Sequence, residues 1–364
     1  MAKQHKTNPL LICIILFHAW LLAGAQPKPC AFIFGDSLID VGTNNYLPGA
    51  LATANQPWYG VDFPNNTATG RFSNAYNLAD FIVNLTGIGT KSPPPFLKLV
   101  RNQADFRTKI QQGVSFASGG AGILNDTGFK SFIRVIPLGQ QFQQFQTVSR
   151  NLTQALGAAK AAALINTSLY LISIGSNDLT EYFKFPSPNT SAHQFIQKLM
   201  AAYAKRLKSL YDAGARKFGI IGIPPIGSWP MSRSMNGGVC NETMNEAARS
   251  FQASTLTLLQ NFSSTNPGVH YSLGDFYGIT MSAINNPSAH GFKNVEDACC
   301  GVGPNNGLML CRKPLSNLCT RRDEYLYFDF VHPTQKAAKI AAQFLVNTGN
   351  NFAKPIHFGE LVKM

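Results

Sequence analysis

The chain has 364 residues, 45% of them hydrophobic and 13% charged, with a formal net charge of +13 at neutral pH. That apolar content builds a sizeable core and excludes a disordered, solvated chain. The basic residues are scattered, with no run longer than Arg321-Arg322, and no nucleic-acid-binding motif accompanies them, so a nucleic-acid partner is not expected.

At the start of the chain, Lys3 and Lys6 form a basic region, Leu10 to Leu22 an apolar stretch interrupted by His18, and Ala23-Gly24-Ala25 a small-residue cleavage site. About 13 apolar-dominated residues fall short of the roughly 20 that span a bilayer. Residues 1–25 therefore read as a secretory signal peptide, with Gln26 the mature N-terminus, and no other stretch resembles a transmembrane segment. Residues 26–364 are uniform in composition, lack a Ser/Gly- or Pro-rich linker, and read as a single domain. Their net positive charge suits weak attraction to an acidic extracellular polysaccharide such as pectin.

Five short apolar runs, 31–34, 114–117, 169–174, 217–223 and 269–273, read as buried strands. Continuous apolar runs of this length fit a parallel sheet covered on both faces. Helical patterns lie between them, clearest at Ser191–Ala213 and Asn241–Ser264, with a last helix from Thr334 to about Val346. Strand alternating with helix gives a three-layer, doubly wound, mostly parallel five-stranded α/β fold, with ligands at the carboxyl edge of the strands. The stretches 42–75 and 285–325 are irregular and too long to be mere connectors, so they are expected to form a rim over that edge. Trp58, Tyr59, Phe63 and Phe72 would either line an acyl pocket there or pin the loop to the body.

The first strand breaks into Gly35-Asp36-Ser37-Leu38, and Asp329 and His332 stand three apart near the far end. A serine is a poor nucleophile at its free pKa and needs an imidazole to take its proton and a carboxylate to orient that imidazole. Between them, Ser118-Gly119-Gly120-Ala121-Gly122 and Gly175-Ser176-Asn177-Asp178 each follow a strand. Glycines let a backbone N–H approach a substrate, and an Asn amide is an oxyanion donor. Taken singly, these residues could instead be helix caps and turns. In order along one chain, each at a strand end or in a late loop, they point to ester hydrolysis. Ser115, in Gly113-Val114-Ser115-Phe116-Ala117, is a rival nucleophile, but Phe116 and Ala117 continue its strand and the sharp turn of a nucleophile elbow is missing.

Seven cysteines occur, and loss of Cys13 with the signal leaves Cys30, Cys240, Cys299, Cys300, Cys311 and Cys319. An even count in an exported chain suggests disulfides, with the adjacent Cys299 and Cys300 bonding elsewhere. No Cys-x-x-Cys or His-Glu-x-x-His spacing is present, so neither a metal nor another cofactor is expected. Sequons at Asn65, Asn84, Asn125, Asn151, Asn166, Asn189, Asn241 and Asn261 mark a glycoprotein, although Asn166 falls just before a core strand.

Six blocks together carry a family resemblance: Phe34-Gly-Asp-Ser-Leu-Ile-Asp-Val-Gly42, Gly70-Arg-Phe-Ser-Asn74, Phe116-Ala-Ser-Gly-Gly-Ala-Gly122, Ile174-Gly-Ser-Asn-Asp178, Ala298-Cys-Cys-Gly301 and Asp329-Phe-Val-His-Pro-Thr334. Over nearly the whole mature length the chain resembles a plant-type GDSL esterase/lipase of the SGNH hydrolase superfamily. The resemblance implies a flavodoxin-like strand order, secretion to the apoplast or cell wall, and small-molecule or lipid ester substrates. It implies Ser37 as nucleophile, His332 as general base and Asp329 as its partner. The oxyanion hole would comprise the Ser37 and Gly120 backbone N–H groups and the Asn177 side chain, with Gly119 the next candidate. Two other readings stay open: an extracellular acyltransferase using the same residues with a hydroxyl acceptor, and a non-catalytic secreted binding protein.

Overall fold

The computed structural model describes residues 27–364, so the expected signal peptide and Gln26 lie outside the described residues. Strands β1 (Ala31–Gly35), β2 (Val114–Ser115), β3 (Leu169–Ser173), β4 (Lys217–Ile221) and β5 (His270–Gly274) form a parallel sheet in the order β2-β1-β3-β4-β5. This is the doubly wound, flavodoxin-like order, which puts its switch point between β1 and β3. One strand was not legible beforehand: Ala353–Lys354 pairs antiparallel with β5 and makes the sheet six-stranded. The ladder of β2 runs past its short core, through Phe116 N–H to Ile33 O (2.7 Å) and Ser118 N–H to Gly35 O (3.0 Å). The expected strand 114–117 is therefore present in its hydrogen bonds.

Helices cover both faces. On one face, α2 (Leu138–Leu156), α4 (Ala192–Asp212) and α5 (Glu242–Thr265) bury Phe142, Phe145, Tyr203 and Phe251 against Phe32 and Phe34 of β1. On the other, α1 (Leu78–Leu85) and α7 (Gln335–Val346) bury Ile82, Val83, Ala342 and Leu345 against Ala31 and Ile33. Alternate residues of β1 thus feed opposite layers, as the two-residue period of a strand requires. Two further helices leave the carboxyl edge of the sheet: α3 (Ser176–Lys184) after β3, and α6 (Phe276–Asn285) after β5. The helix starts read from the sequence are capped: Ser191, Asn241 and Thr334 each accept a backbone N–H in the first turn of α4, α5 and α7.

The two irregular stretches meet over one cluster. Tyr59, Phe72 and Phe328 pack with Cys299, Cys300 and Cys311. Disulfides Cys299–Cys319 and Cys300–Cys311 staple the second stretch. Cys30 and Cys240 carry no disulfide among the described residues, so four of the six candidate cysteines pair. Cys30 is buried at the head of β1, where its thiol lies 3.4 Å from the Ser168 hydroxyl. Of the sequons, Asn166 lies just before β3 as expected and is exposed at the end of a helix, whereas the Asn241 side chain is engaged in capping α5.

Candidate active site

β1 ends in Gly35, whose φ of +150° and a Ser173 carbonyl 2.0 Å from where a Cβ would stand admit only glycine. The chain can therefore turn sharply at the sheet edge and throw out Asp36 and Ser37. Gln141, buried on α2, holds the turn: its side-chain oxygen accepts the Gly35 N–H at 2.8 Å, and its amide donates to Gly35 O and Ile136 O, each at 2.8 Å. Nothing in the sequence singled out this residue.

His332 reaches Ser37 from the far end of the chain, with Nε2 2.7 Å from Oγ. Its Nδ1 lies 2.8 Å from both Asp329 carboxylate oxygens. Asp329 Oδ1 also accepts the Val331 and His332 backbone N–H groups at 3.0 and 2.8 Å, so the carboxylate both folds the turn and orients the ring. The pair meets in a turn ahead of α7 and not along a helix face, as Pro333 dictates. Asp329 Oδ2 accepts a 2.6 Å hydrogen bond from the Tyr59 hydroxyl. Asp329 is fully buried; burial pushes its carboxyl up, but the His332 ring, Tyr59 and the backbone donors outweigh this and hold it below the ordinary carboxylate range. Phe72 lies against the imidazole, ring centroids 4.8 Å apart.

Gly120 and Asn177 line the same cavity as Ser37 and His332. Among the described residues, the Ser37 and Gly120 backbone N–H groups have no hydrogen-bond partner within the protein. The Gly119 N–H, by contrast, donates to Asp40 Oδ2 at 2.9 Å, so of the two glycines Gly120 is the one whose N–H is uncommitted within the protein. Asn177 stands in the first turn of α3 and gives one amide proton to Ala121 O at 2.9 Å, leaving a second. Gly175, not Asn177, is the N-cap of that helix.

Other residues divide cleanly. Ser115 is fully buried in β2 and outside the cavity, so it is a strand residue. Of the four loop aromatics, only Phe72 lines the cavity; Tyr59 supports Asp329, Phe63 packs on Tyr76, and Lys313 sits 4.7 Å over the Trp58 ring. Asp36 is buried, with Oδ1 accepting the Leu38 N–H and Oδ2 unpartnered; burial pushes its carboxyl up to about 7.

Residues 32–345 match the GDSL-like Lipase/Acylhydrolase family. Relatives from Arabidopsis thaliana include GDSL esterase/lipase At5g55050, 36% identical over 92% of this chain and 90% of its own length. GDSL esterase/lipase LTL1 is 33% identical over 96% and 95%, respectively, and GDSL esterase/lipase 6 is 32% identical over the same shares.

Proposed function

The chain belongs to the GDSL-like lipase/acylhydrolase family and is a carboxylic ester hydrolase, and from that premise we propose that it is a secreted esterase working through Ser37, His332 and Asp329 by way of an acyl-enzyme. The observation that carries the proposal is the unbroken chain of contacts from Ser37 Oγ through the imidazole to the Asp329 carboxylate, at 2.7 and 2.8 Å. Ser37 Oγ attacks the ester carbonyl as His332 Nε2 takes its proton. Asp329 steadies the imidazolium without taking the proton itself. The oxyanion meets the Ser37 and Gly120 N–H groups and the Asn177 amide. The C–O bond to the alcohol then breaks, the alcohol leaves with the proton from His332, and water repeats the sequence to release the acid and free Ser37.

Extracellular residence is supported by the two disulfides, which persist in oxidising compartments, and among the described residues no helix is long and apolar enough to cross a membrane. The test is substitution and labelling. Ser37→Ala should abolish hydrolysis of p-nitrophenyl esters with an unchanged circular dichroism spectrum, whereas Ser115→Ala should retain it. A serine-directed organophosphonate should label Ser37 in the wild type and no serine in Ser37→Ala. Label on Ser115, or normal turnover by Ser37→Ala, would refute the assignment.

A further inference from the structure

We propose that the cavity beside Ser37 continues as a buried slot between α6 and α7 that takes an unsubstituted aliphatic acyl chain, and that Ala283 and Ala341 set the length it accepts. The inference rests on the serine-esterase reading above and names the acyl group that such an enzyme would prefer.

The cavity holds about 1050 Å³, counting the space open to solvent at its mouth. Its lining includes the polar residues Asp36, Ser176, Asn177 and Thr180, from the turn after β1 and the first turns of α3. Much of the remaining wall comes from two helices that both start at the carboxyl edge of the sheet. Phe276, Ile279, Thr280 and Ala283 of α6 line it at i, i+3, i+4 and i+7, one continuous helix face. Seven residues of helix advance about 10 Å, so this face leads well inward from the edge. The opposite wall continues from His332 and Pro333 through Ala337 and Ile340 to Ala341 on α7.

The chemistry of this wall selects its occupant. The Thr280 hydroxyl is engaged by the Phe276 carbonyl at 2.8 Å, so that position offers the cavity little but a methyl group. The Tyr327 hydroxyl and Trp229 indole nitrogen belong to lining residues, and among the described residues both are covered and without a hydrogen-bond partner, so what these side chains show the cavity is mainly ring surface. A phenolic or hydroxylated acid would leave its polar groups unpaired there, whereas methylenes lose nothing. The acyl side of the ester fits better than the alcohol side, because the acyl group stays bonded to Ser37 while the alcohol must depart and water must enter. Ala283 and Ala341 are 4% and 1% exposed, small side chains in a tightly covered wall, and a larger side chain at either position would fill the slot.

Kinetics on p-nitrophenyl butyrate, octanoate and dodecanoate hold the alcohol constant and vary the chain. The wild type should favour octanoate or dodecanoate over butyrate in kcat/KM. Ala283→Phe should lower that preference by about tenfold or more. Ala341→Val and Ala283→Leu supply milder blocks should the Phe variant fail to fold by circular dichroism. A flat wild-type profile, or an unchanged preference in the folded variants, would overturn the slot while leaving the esterase intact. So would a shift confined to acetate esters of long alcohols. Binding of cis-parinaric acid to Ser37→Ala reads the slot without chemistry. It should be weakened by Ala283→Phe, and no binding would count against the slot. Binding without hydrolysis by the wild type would instead sink the catalytic reading alone.

Discussion

Tyr59→Phe isolates one hydrogen bond to the carboxylate behind the imidazole. The substitution keeps the ring, and with it the packing against Phe72 and Phe328 at centroid distances of 5.9 and 5.6 Å. It removes only the hydroxyl that donates to Asp329 Oδ2 at 2.6 Å. A hydrogen bond to a charged group contributes about 1.5–3 kcal/mol. Asp329 keeps its contacts with His332 and the Val331 and His332 backbone, so the lower end of that range applies. Felt wholly in the transition state, where the imidazolium forms, about 1.5 kcal/mol is roughly a tenfold loss in kcat/KM, and it should fall on kcat more than on KM.

The same variant has a signature in acid. Asp329 is held below the ordinary carboxylate range, first against burial, by His332 and then by Tyr59 among its donors. A depressed carboxyl contributes stability above its unfolded pKa, and that contribution is lost as pH falls through the folded value. Without the Tyr59 hydroxyl the folded value rises, so acid unfolding should begin at a higher pH. The assays are pH-resolved ester hydrolysis and thermal melts in acid. A variant matching the wild type in kcat/KM and in its acid melting profile would refute the idea that Tyr59 supports the carboxylate.

Asn177→Ala should cut kcat by roughly a hundred- to a thousandfold with little change in KM, since its amide would serve the oxyanion better than the ground-state carbonyl; steady-state kinetics check this. Burial pushes Asp36 up to about 7 and Asp40 and Asp178 each up to about 6. Groups with raised folded pKa values contribute stability that is full below their unfolded pKa and lost as pH rises through the folded one, so the melting temperature should fall between pH 5 and pH 8, and a rise over that interval would contradict the assignment. Peptide mapping of the denatured, unreduced mature chain should find Cys30 and Cys240 as thiols and the other four cysteines paired. In the native protein Cys30 should resist alkylation, because burial pushes its thiol up to about 12.

Much of this could be read from residues whose signal is local. Apolar runs bounded by turns located the five parallel strands, and Ser191, Asn241 and Thr334 marked the helix starts they cap. Ser37, Asp329 and His332 stood out because nucleophilic chemistry demands those residue types at strand ends and late loops. What stayed hidden depends on contacts that sequence spacing does not encode. Tyr59 lies 270 residues from its carboxylate partner, inside a loop whose other aromatics do something else. Gln141 sits in an amphipathic helix, where a glutamine is unremarkable until its amide is seen closing on Gly35. An even cysteine count does not say which cysteines pair, and Cys30, heading a buried strand beside Ser168, and Cys240 are left out of the two disulfides. The edge strand Ala353–Lys354 is only two residues long and carries no period to detect.

The acidic residues around the site are divided between two tasks, and the division explains why the proposed oxyanion donors are left free. Asp40 accepts the N–H groups of Gly42, Thr43 and Gly119 at 2.7–2.9 Å. Asp178 accepts those of Ile123 and Leu124 and the Thr127 hydroxyl, and Glu181 accepts the N–H of Gly128. The glycine-rich turn after β2 is thus tied down on both sides of Gly120 by carboxylates, which satisfy its neighbours and leave the Gly120 N–H without a partner. A buried donor with no partner is costly in a folded protein, on the order of 1–3 kcal/mol. Holding Gly119 and Ile123 with strong acceptors fixes the turn on either side of Gly120, which in the proposed mechanism would let its N–H serve the oxyanion. Asp329 does the other task, facing the imidazole. Replacing Asp40 should therefore damage turnover through the position of Gly120, with the Ser37–His332–Asp329 contacts intact, while replacing Asp329 should damage those contacts themselves.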